Sequence, residues 1–256
     1  MRYALISDVH ANLPALEAVL ADIERREVVS TYHLGDLVGY SSEPNEVVGR
    51  IRDAGIAGVA GNYDSTVATG YKHCGCRSES PRQEELAHVS YEWTRANTSV
   101  ASKGFLGGLP FRIDMRPLGG HITGPTVTLL HGNNVLNTVY TFEERSDATL
   151  EKMANAVGAK AGDVVAFGHT HKPWHRAAAG VQFVNTGSVG RPKDGDWRAG
   201  YVVLDVDGSG VRVEIVRVPY DIERAIAGIR KARLPEEFVE FLKSGGKPAV
   251  VEKSSL

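Results

Sequence analysis

The chain has 256 residues, of which 42% are apolar and 23% charged, and its mean hydropathy is -0.19; this is enough apolar material for a sizeable core and too much for a disordered, collagenous or coiled-coil chain. Such a length allows one large domain or two small ones, and a single core is expected. Lysine and arginine number 29 against 31 aspartates and glutamates, a net charge of -2, so no global basic field draws nucleic acid or a membrane surface, and an anionic substrate has to be held by local chemistry.

Asp8 and His10 interrupt the first apolar run before it reaches the length of a signal-peptide core, and no stretch approaches the roughly 18 apolar residues of a spanning helix. The two cysteines, Cys74 and Cys76, stand too close together to staple a fold, which agrees with a reducing compartment. The cytoplasm is the expected location.

Short β-branched and aromatic runs recur at 3–7, 31–34, 56–60, 126–130, 164–167, 181–184, 201–206 and 211–218, most of them ending in a polar or glycine-rich turn. Between the first two, Asn12 as N-cap, Pro14 just inside, and Leu16, Val19, Leu20 and Ile23 at helical spacing predict a helix, hence a βαβ unit. A second helix from Pro44, with Val47, Val48 and Ile51 before Gly55, repeats the unit. From 65 to 112 the strand pattern lapses. A helix over 81–97, with Leu86, Val89, Tyr91 and Trp93, reads there as part of an insertion covering the site. A hairpin turning at 207–210 and helices at 221–232 and 236–244 complete one expected domain over 1–245, followed by a polar tail at 246–256.

The strand ends carry the chemistry. The first predicted strand runs into Asp8-Val9-His10, the second into Gly35-Asp36, the third into Gly61-Asn62-Tyr63-Asp64, the fourth into His131-Gly132 and the fifth into Gly168-His169-Thr170-His171. Any one of these is an ordinary turn or a structural histidine. Five in order, each offering a metal-ligand side chain, are not, because in open α/β sheets the loops beyond the carboxyl ends of the strands converge on one crevice. Asp8, His10, Asp36, Asn62, His131, His169 and His171 supply four imidazoles, two carboxylates and an amide oxygen. That set suits divalent manganese, iron, cobalt or zinc, and offers no thiolate to a soft metal. Seven ligands exceed one tetrahedral site, so two ions about 3.5–4 Å apart are expected, with Asp36 bridging them and a bridging hydroxide attacking phosphorus in line.

Taken together, SDVHANLPALEAVL, HLGDLVGY, GNYD, LLHG, GHTHKP and NTGSVGRPKD, in that order, resemble the calcineurin-like metallophosphoesterases, and most closely the branch of YfcE-type phosphodiesterases and diadenosine tetraphosphatase relatives. The resemblance runs from residue 1 to about 245. It implies an α/β fold, a four-layer α/β/β/α sandwich of two mixed β-sheets. It also implies one ion on Asp8, His10, Asp36 and His171 and a second on Asp36, Asn62, His131 and His169, manganese being favoured and iron, zinc, cobalt or nickel left open. Asp36, Asn62, Tyr63 and His131 are the implied catalytic set.

Tyr63 departs from the pattern, since phosphomonoesterases of the family usually carry a histidine there. A phenol with a reference pKa of about 10 is a poor acid at neutral pH, which turns the expectation toward phosphodiesters and away from protein phosphatases. Asn133 and Arg191 are candidate substrate contacts, with Asn134 and Lys193 beside them. His33, His88, His121 and His175 lie outside the ordered motifs and are read as structural or solvated. The segment His73-Cys74-Gly75-Cys76 reads as a mobile loop near the site mouth, with too few ligands for a metal and a gap too short for a relaxed disulfide. No P-loop, G-x-G-x-x-G or G-x-S-x-G motif occurs. The expected partner is a small phosphorylated or nucleotide-like molecule, with a homo-oligomer left open. The alternatives are a dinucleoside polyphosphate hydrolase, a phosphomonoesterase, or a non-catalytic scaffold such as the retromer subunit of the same fold.

Overall fold

A computed structural model describes residues 1–76, 80–117, 124–207 and 210–247. Strands β1 (Arg2–Ile6), β2 (Ser30–His33) and β3 (Ala57–Gly58) lie parallel and are connected through helices α1 (Leu13–Glu24) and α2 (Pro44–Asp53). On the other edge of β1, strand β9 (Ala199–Asp207) pairs antiparallel and carries β10 (Gly210–Val218) beyond it, giving the order β10-β9-β1-β2-β3. The second sheet has the order β4-β5-β6-β8-β7, built from β4 (Ile113–Met115), β5 (Val127–Leu129), β6 (Val164–Phe167), β8 (Val181–Asn185) and β7 (Trp174–Ala178). Its central strands β5, β6 and β8 are parallel and its two edge strands antiparallel.

Side-chain alternation divides the core into three layers. In β1, Tyr3 and Leu5 face the second sheet, where they meet Val127, Leu129, Val164, Ala166 and Val184, while Ala4 and Ile6 face the helices. β9 divides in the same way, with Val202, Leu204 and Val206 toward the other sheet and Tyr201 and Val203 toward the helices. Val165 and Phe167 of β6 turn outward onto Leu150, Met153, Ala154 and Val157 of α6 (Asp147–Val157). The architecture is thus the expected α/β/β/α sandwich. Central strands buried on both faces read as continuous apolar runs, because each fully buried Val or Leu stabilises the fold by about 1.5–3 kcal/mol.

Local signals operate where they were read. Asn12 accepts from Ala15 N at 3.2 Å to cap α1, Pro44 opens α2, and Gly55, at φ +64°, ends the turn after it. Within the 65–112 stretch lie most of α3 (Asn62–Thr69) and all of α4 (Pro81–Asn97) and α5 (Val100–Gly107). α4 turns Ser90, Tyr91 and Thr94 inward and leaves Val89 exposed, so Val89 does not serve the apolar face assigned to it. β4, β7, α3, α5 and α6 were not anticipated. Helices α7 (Ile222–Lys231) and α8 (Glu236–Ser244) close the chain. The hairpin pairs Asp207 with Gly210, while its middle residues 208 and 209, His121, and the tail from 248 onward lie outside the described residues. Among the described residues no helix is long and apolar enough to cross a membrane.

Candidate metal centre

All six parallel strands end at the same edge of the sandwich, and their loops interlock. Asp8 N donates to Gly35 O at 2.9 Å, His10 N to Asp36 O at 3.0 Å and Ala11 N to Leu37 O at 2.9 Å, which zips the loop after β1 to the loop after β2. The close approach demands glycine at two points. A Cβ on Gly61 would stand 2.0 Å from Asp36 Oδ1, and one on Gly168 would stand 2.4 Å from Asp8 Oδ2. Asp8, His10, Asp36, His169 and His171 all hold positive φ, between 48° and 64°. This region costs an L-residue about 1–2 kcal/mol, and such strain persists where surrounding bonds over-determine it, as at functional sites.

The side chains form two buried groups, Asp8 with His10 and His171, and Asp36 with His131 and His169. Carbonyl oxygens fix the imidazoles. His10 Nδ1 donates to Val38 O at 3.0 Å, His171 Nδ1 to Arg191 O at 2.6 Å and His131 Nδ1 to Leu34 O at 2.7 Å. A carbonyl only accepts, so each Nδ1 carries the proton, and in the neutral ring each Nε2 presents a lone pair. In the first group His10 Nε2 and His171 Nε2 face each other at 3.1 Å, with Asp8 Oδ1 3.2 Å from His171 Nε2. That Oδ1 is buried and has no hydrogen-bond partner among the described residues. Three lone pairs converging on one point repel unless a cation lies among them. Two nitrogens each about 2.1 Å from one ion, at a right angle, stand about 3 Å apart, so the donors fit a divalent metal.

In the second group His131 Nε2 lies 3.1 Å from His169 Nδ1 and 3.2 Å from Asn62 Oδ1. Asp36 Oδ2 stands between the groups, 3.7 Å from His10 Nε2 and 3.5 Å from His131 Nε2, while its Oδ1 accepts from Tyr63 N at 2.9 Å. Burial holds His10 down to about 3 and keeps His169 and His171 well below the usual histidine range. Burial also opposes charge on His131, but the Asp36 carboxylate outweighs it and carries that ring up to about 9.

Residues outside the predicted set hold these side chains in place. Asp64 accepts from Asp36 N at 2.8 Å, Leu37 N at 2.9 Å and Gly61 N at 3.0 Å, locking both ligand turns with one carboxylate. The motif GNYD contained it, but nothing in its spacing marked it as a support. Asp8 Oδ2 accepts from Ser7 Oγ at 2.5 Å and His169 N at 2.9 Å, tying the first sheet to the second.

The two groups open into a cavity of about 800 Å³ whose walls include Tyr40, Tyr140, Phe142, Arg191, Lys193 and Phe241. Tyr140 stacks on His169 with ring centroids 4.0 Å apart. Arg191 lines the cavity. Asn133 does not stand on its wall: its Oδ1 accepts from Val135 N at 2.8 Å and Leu136 N at 2.9 Å, the turn-capping role of an asparagine. Tyr63 is 1% exposed and meets His10 edge-on, with its hydroxyl 3.2 Å from Ser90 Oγ. Burial drives that phenol well above its usual pKa. Cys74 and Cys76 form a disulfide, against the sequence expectation. Gly75 between them, at φ +72°, bends the chain so that their Cα atoms lie 5.3 Å apart, within disulfide range. Cysteine usage therefore carries no argument for a reducing compartment. The loop does reach the site, because Asn62 Nδ2 donates to Cys74 O at 2.9 Å.

Residues 1–209 match the model of the calcineurin-like phosphoesterase superfamily domain. The Methanocaldococcus jannaschii protein MJ0912 is 32% identical over 259 aligned positions, covering 94% of this chain and 97% of its own. The crystal structure of a metallophosphoesterase from Sphaerobacter thermophilus is similar, with a TM-score of 0.74 at 30% identity over 96% of this chain and 99% of that one. Pyrococcus horikoshii PH1004 shares the fold, with a TM-score of 0.80 at 21% identity over 97% and 99%. With its ordered ligand motifs and two buried His/Asp groups, the chain belongs to the calcineurin-like phosphoesterase superfamily of metal-dependent phosphate-ester hydrolases.

Proposed function

We propose that residues 1–245 form one metallophosphoesterase domain that binds two divalent ions, manganese for preference, and hydrolyses small phosphodiesters in the cytoplasm. The position of Asp36 Oδ2, 3.7 Å from His10 Nε2 and 3.5 Å from His131 Nε2, is the observation that carries the dinuclear reading, because one carboxylate oxygen then serves both groups. Asp8, His10 and His171 hold one ion, and Asn62, His131 and His169 the other. When bound, two such ions polarise a phosphoryl oxygen and make water acidic enough to supply a nucleophile at neutral pH.

The chain's own residues do the rest. The carbonyls of Val38, Leu34 and Arg191 orient the imidazoles. Burial keeps His10, His169 and His171 neutral and able to ligate. At the position where the family's phosphomonoesterases carry a histidine, Tyr63 bonds to Ser90 and offers no ready proton. This favours leaving groups that depart without one and supports diesters with acidic alcohols over alkyl monoesters. Asn133 is withdrawn as a substrate contact, its Oδ1 being engaged in a turn, and Arg191 is retained.

The test combines elemental analysis with a hydrolysis screen. Two ions per chain, and bis(4-nitrophenyl) phosphate cleaved faster than 4-nitrophenyl phosphate or diadenosine tetraphosphate, are expected. One ion or none at saturation rejects the dinuclear centre. Faster cleavage of the monoester or of the dinucleotide replaces the diester reading with the corresponding alternative.

A further inference from the structure

The cavity wall holds a buried cation whose side chain is in no ion pair among the described residues. Arg191 is 9% exposed and sits on the loop after β8. That loop is laced to the first ligand turn: Gly190 N donates to Asp8 O at 3.0 Å and Ser188 Oγ donates to the same oxygen at 2.7 Å. The Arg191 guanidinium carbon lies 3.8 Å from the centre of the Tyr40 ring and 3.6 Å from that of Phe241. Two rings cannot share one face of a planar group at that range, so they sandwich it. Cation–π contact holds the group there. Only the in-plane N–H fork remains open, and the residue lines the cavity.

Burial opposes the charge of Arg191, and its nearest partners are the Tyr40 and Phe241 rings rather than a carboxylate. Two further acids on the cavity wall are already engaged, Asp194 with Arg217 and Glu237 with Arg82. Arg191 pairs with neither of these acids among the described residues. Burying an arginine without an anion is costly, and a planar N–H fork matches two oxygens of a phosphate. Lys172, Lys193 and Lys247 on the same wall make a doubly charged phosphate a better fit than a carboxylate.

We infer that Arg191, clamped between Tyr40 and Phe241, forms a second anion subsite that takes a non-reacting terminal phosphate of the substrate, beside the ester being cleaved. The inference rests on the phosphoesterase reading and narrows its substrate to phosphodiesters that carry an additional phosphate group.

Two esters that differ only in that group test it on the metal-loaded protein: thymidine 5′-(4-nitrophenyl phosphate), and the same compound with a 3′-phosphate. The expected result is a KM at least tenfold lower for the 3′-phosphorylated ester, with similar kcat. Arg191→Met should bring the ratio of the two KM values to about one, and Arg191→Lys, which keeps the charge but not the fork, should leave it in between. No preference in the wild-type protein, or a preference that survives Arg191→Met, overturns the subsite. If Arg191→Met does not fold, Arg191→Lys decides, and an unchanged ratio there overturns it too. Should neither ester turn over, the diesterase reading falls and thermal shift with thymidine 3′,5′-bisphosphate settles the subsite separately. Stabilisation greater than that by thymidine 5′-monophosphate, and lost in the variant, supports it; equal shifts by the two nucleotides overturn it.

Discussion

Asn62 donates its amide nitrogen to the carbonyl oxygen of Cys74 at 2.9 Å, and this bond decides which end of the side chain faces the metal groups. With the donor engaged, Oδ1 is turned toward His131 Nε2, 3.2 Å away. The bend that brings the Cys74 carbonyl there depends on Gly75, whose φ is +72° and where a Cβ would stand 2.8 Å from Thr138 Cγ2. Gly75→Ala should therefore displace the loop and release Asn62. Because supporting contacts of this kind are typically worth about 10- to 100-fold in metal affinity or activity, a loss within that range is expected with the global fold intact. Metal titration followed by calorimetry, with circular dichroism as the control for folding, checks it. Unchanged metal affinity would show that the loop does not position Asn62.

Asp36 serves both groups through one oxygen, so removing its charge affects two sites at once. Asp36→Asn keeps the shape and the bond from Tyr63 N to Oδ1. Hydrolysis should fall by several orders of magnitude and metal content from two ions per chain to one or fewer. The stabilisation that ions give by binding only the folded chain should shrink accordingly, so added manganese should raise the melting temperature of the variant less than that of the wild type. Near-native turnover with two ions retained would remove Asp36 from the bridging position.

Much of the centre was legible because its chemistry and its fold share one signal. A buried parallel strand is a short apolar run, and the residue that ends it is the one that enters the crevice, so Asp8, Asp36, His131 and His169 could be read from the places where apolarity stops. Arg191 lies on the loop after β8, six residues beyond its last residue Asn185, and was read from its motif rather than from a strand end. What was missed lacked such a signal. β7 is an edge strand whose inner residues His175, Arg176 and Ala177 are polar or small, with only Trp174 and Ala178 buried. α5 contains two glycines, and α3 is threonine-rich and begins at the ligand Asn62 itself, its first turn held by Asp64 rather than by propensity. α6 was readable, since Ser146 accepts from Thr149 N and Leu150, Met153 and Val157 are helically spaced. The positive φ values are set by tertiary packing that no local pattern encodes, whereas the Asn133 turn is a local contact to residues two and three positions on.

Tyr63 stands where a histidine would deliver a proton, yet its hydroxyl meets Ser90 of α4 and its ring is enclosed. Tyr63→Phe removes only that hydroxyl. Cleavage of bis(4-nitrophenyl) phosphate should change by less than about threefold, and stability should fall by about 1 kcal/mol, the usual contribution of one buried hydrogen bond. The wild-type protein should also cleave the aryl diester faster than it dephosphorylates phosphoserine peptides. A loss of about 10²-fold or more on the aryl diester in the phenylalanine variant, the scale of a positioned acid, would instead assign Tyr63 a direct part in proton transfer.

His33, at the end of β2, makes stability depend on pH from within the protein interior. Its side chain is fully buried, neither ring nitrogen has a hydrogen-bond partner among the described residues, and the ring packs so closely on Gly58 that a Cβ there would lie 2.3 Å from it. Burial, with His131 as a second cause, lowers its pKa from 6.5 to about 3. The folded-state pKa is the depressed one, so below pH 6.5 the unfolded chain takes up a proton that the native ring refuses. Stability therefore falls as pH drops from 6.5 toward 3, and is fully retained above 6.5. Between pH 7 and pH 5 this one residue should cost about 2 kcal/mol, at about 1.36 kcal/mol per pH unit below 6.5. His33→Phe keeps an aromatic ring against Gly58 and cannot titrate. Its extra volume could shift stability at every pH, so the pH dependence is the quantity to compare, measured by urea unfolding of both metal-loaded proteins at pH 7 and pH 5. The variant should lose about 2 kcal/mol less than the wild type across that interval, the other histidines contributing equally to both. Equal losses would mean that the native His33 ring accepts a proton in place, and the neutral, unpartnered reading of this residue would have to be given up.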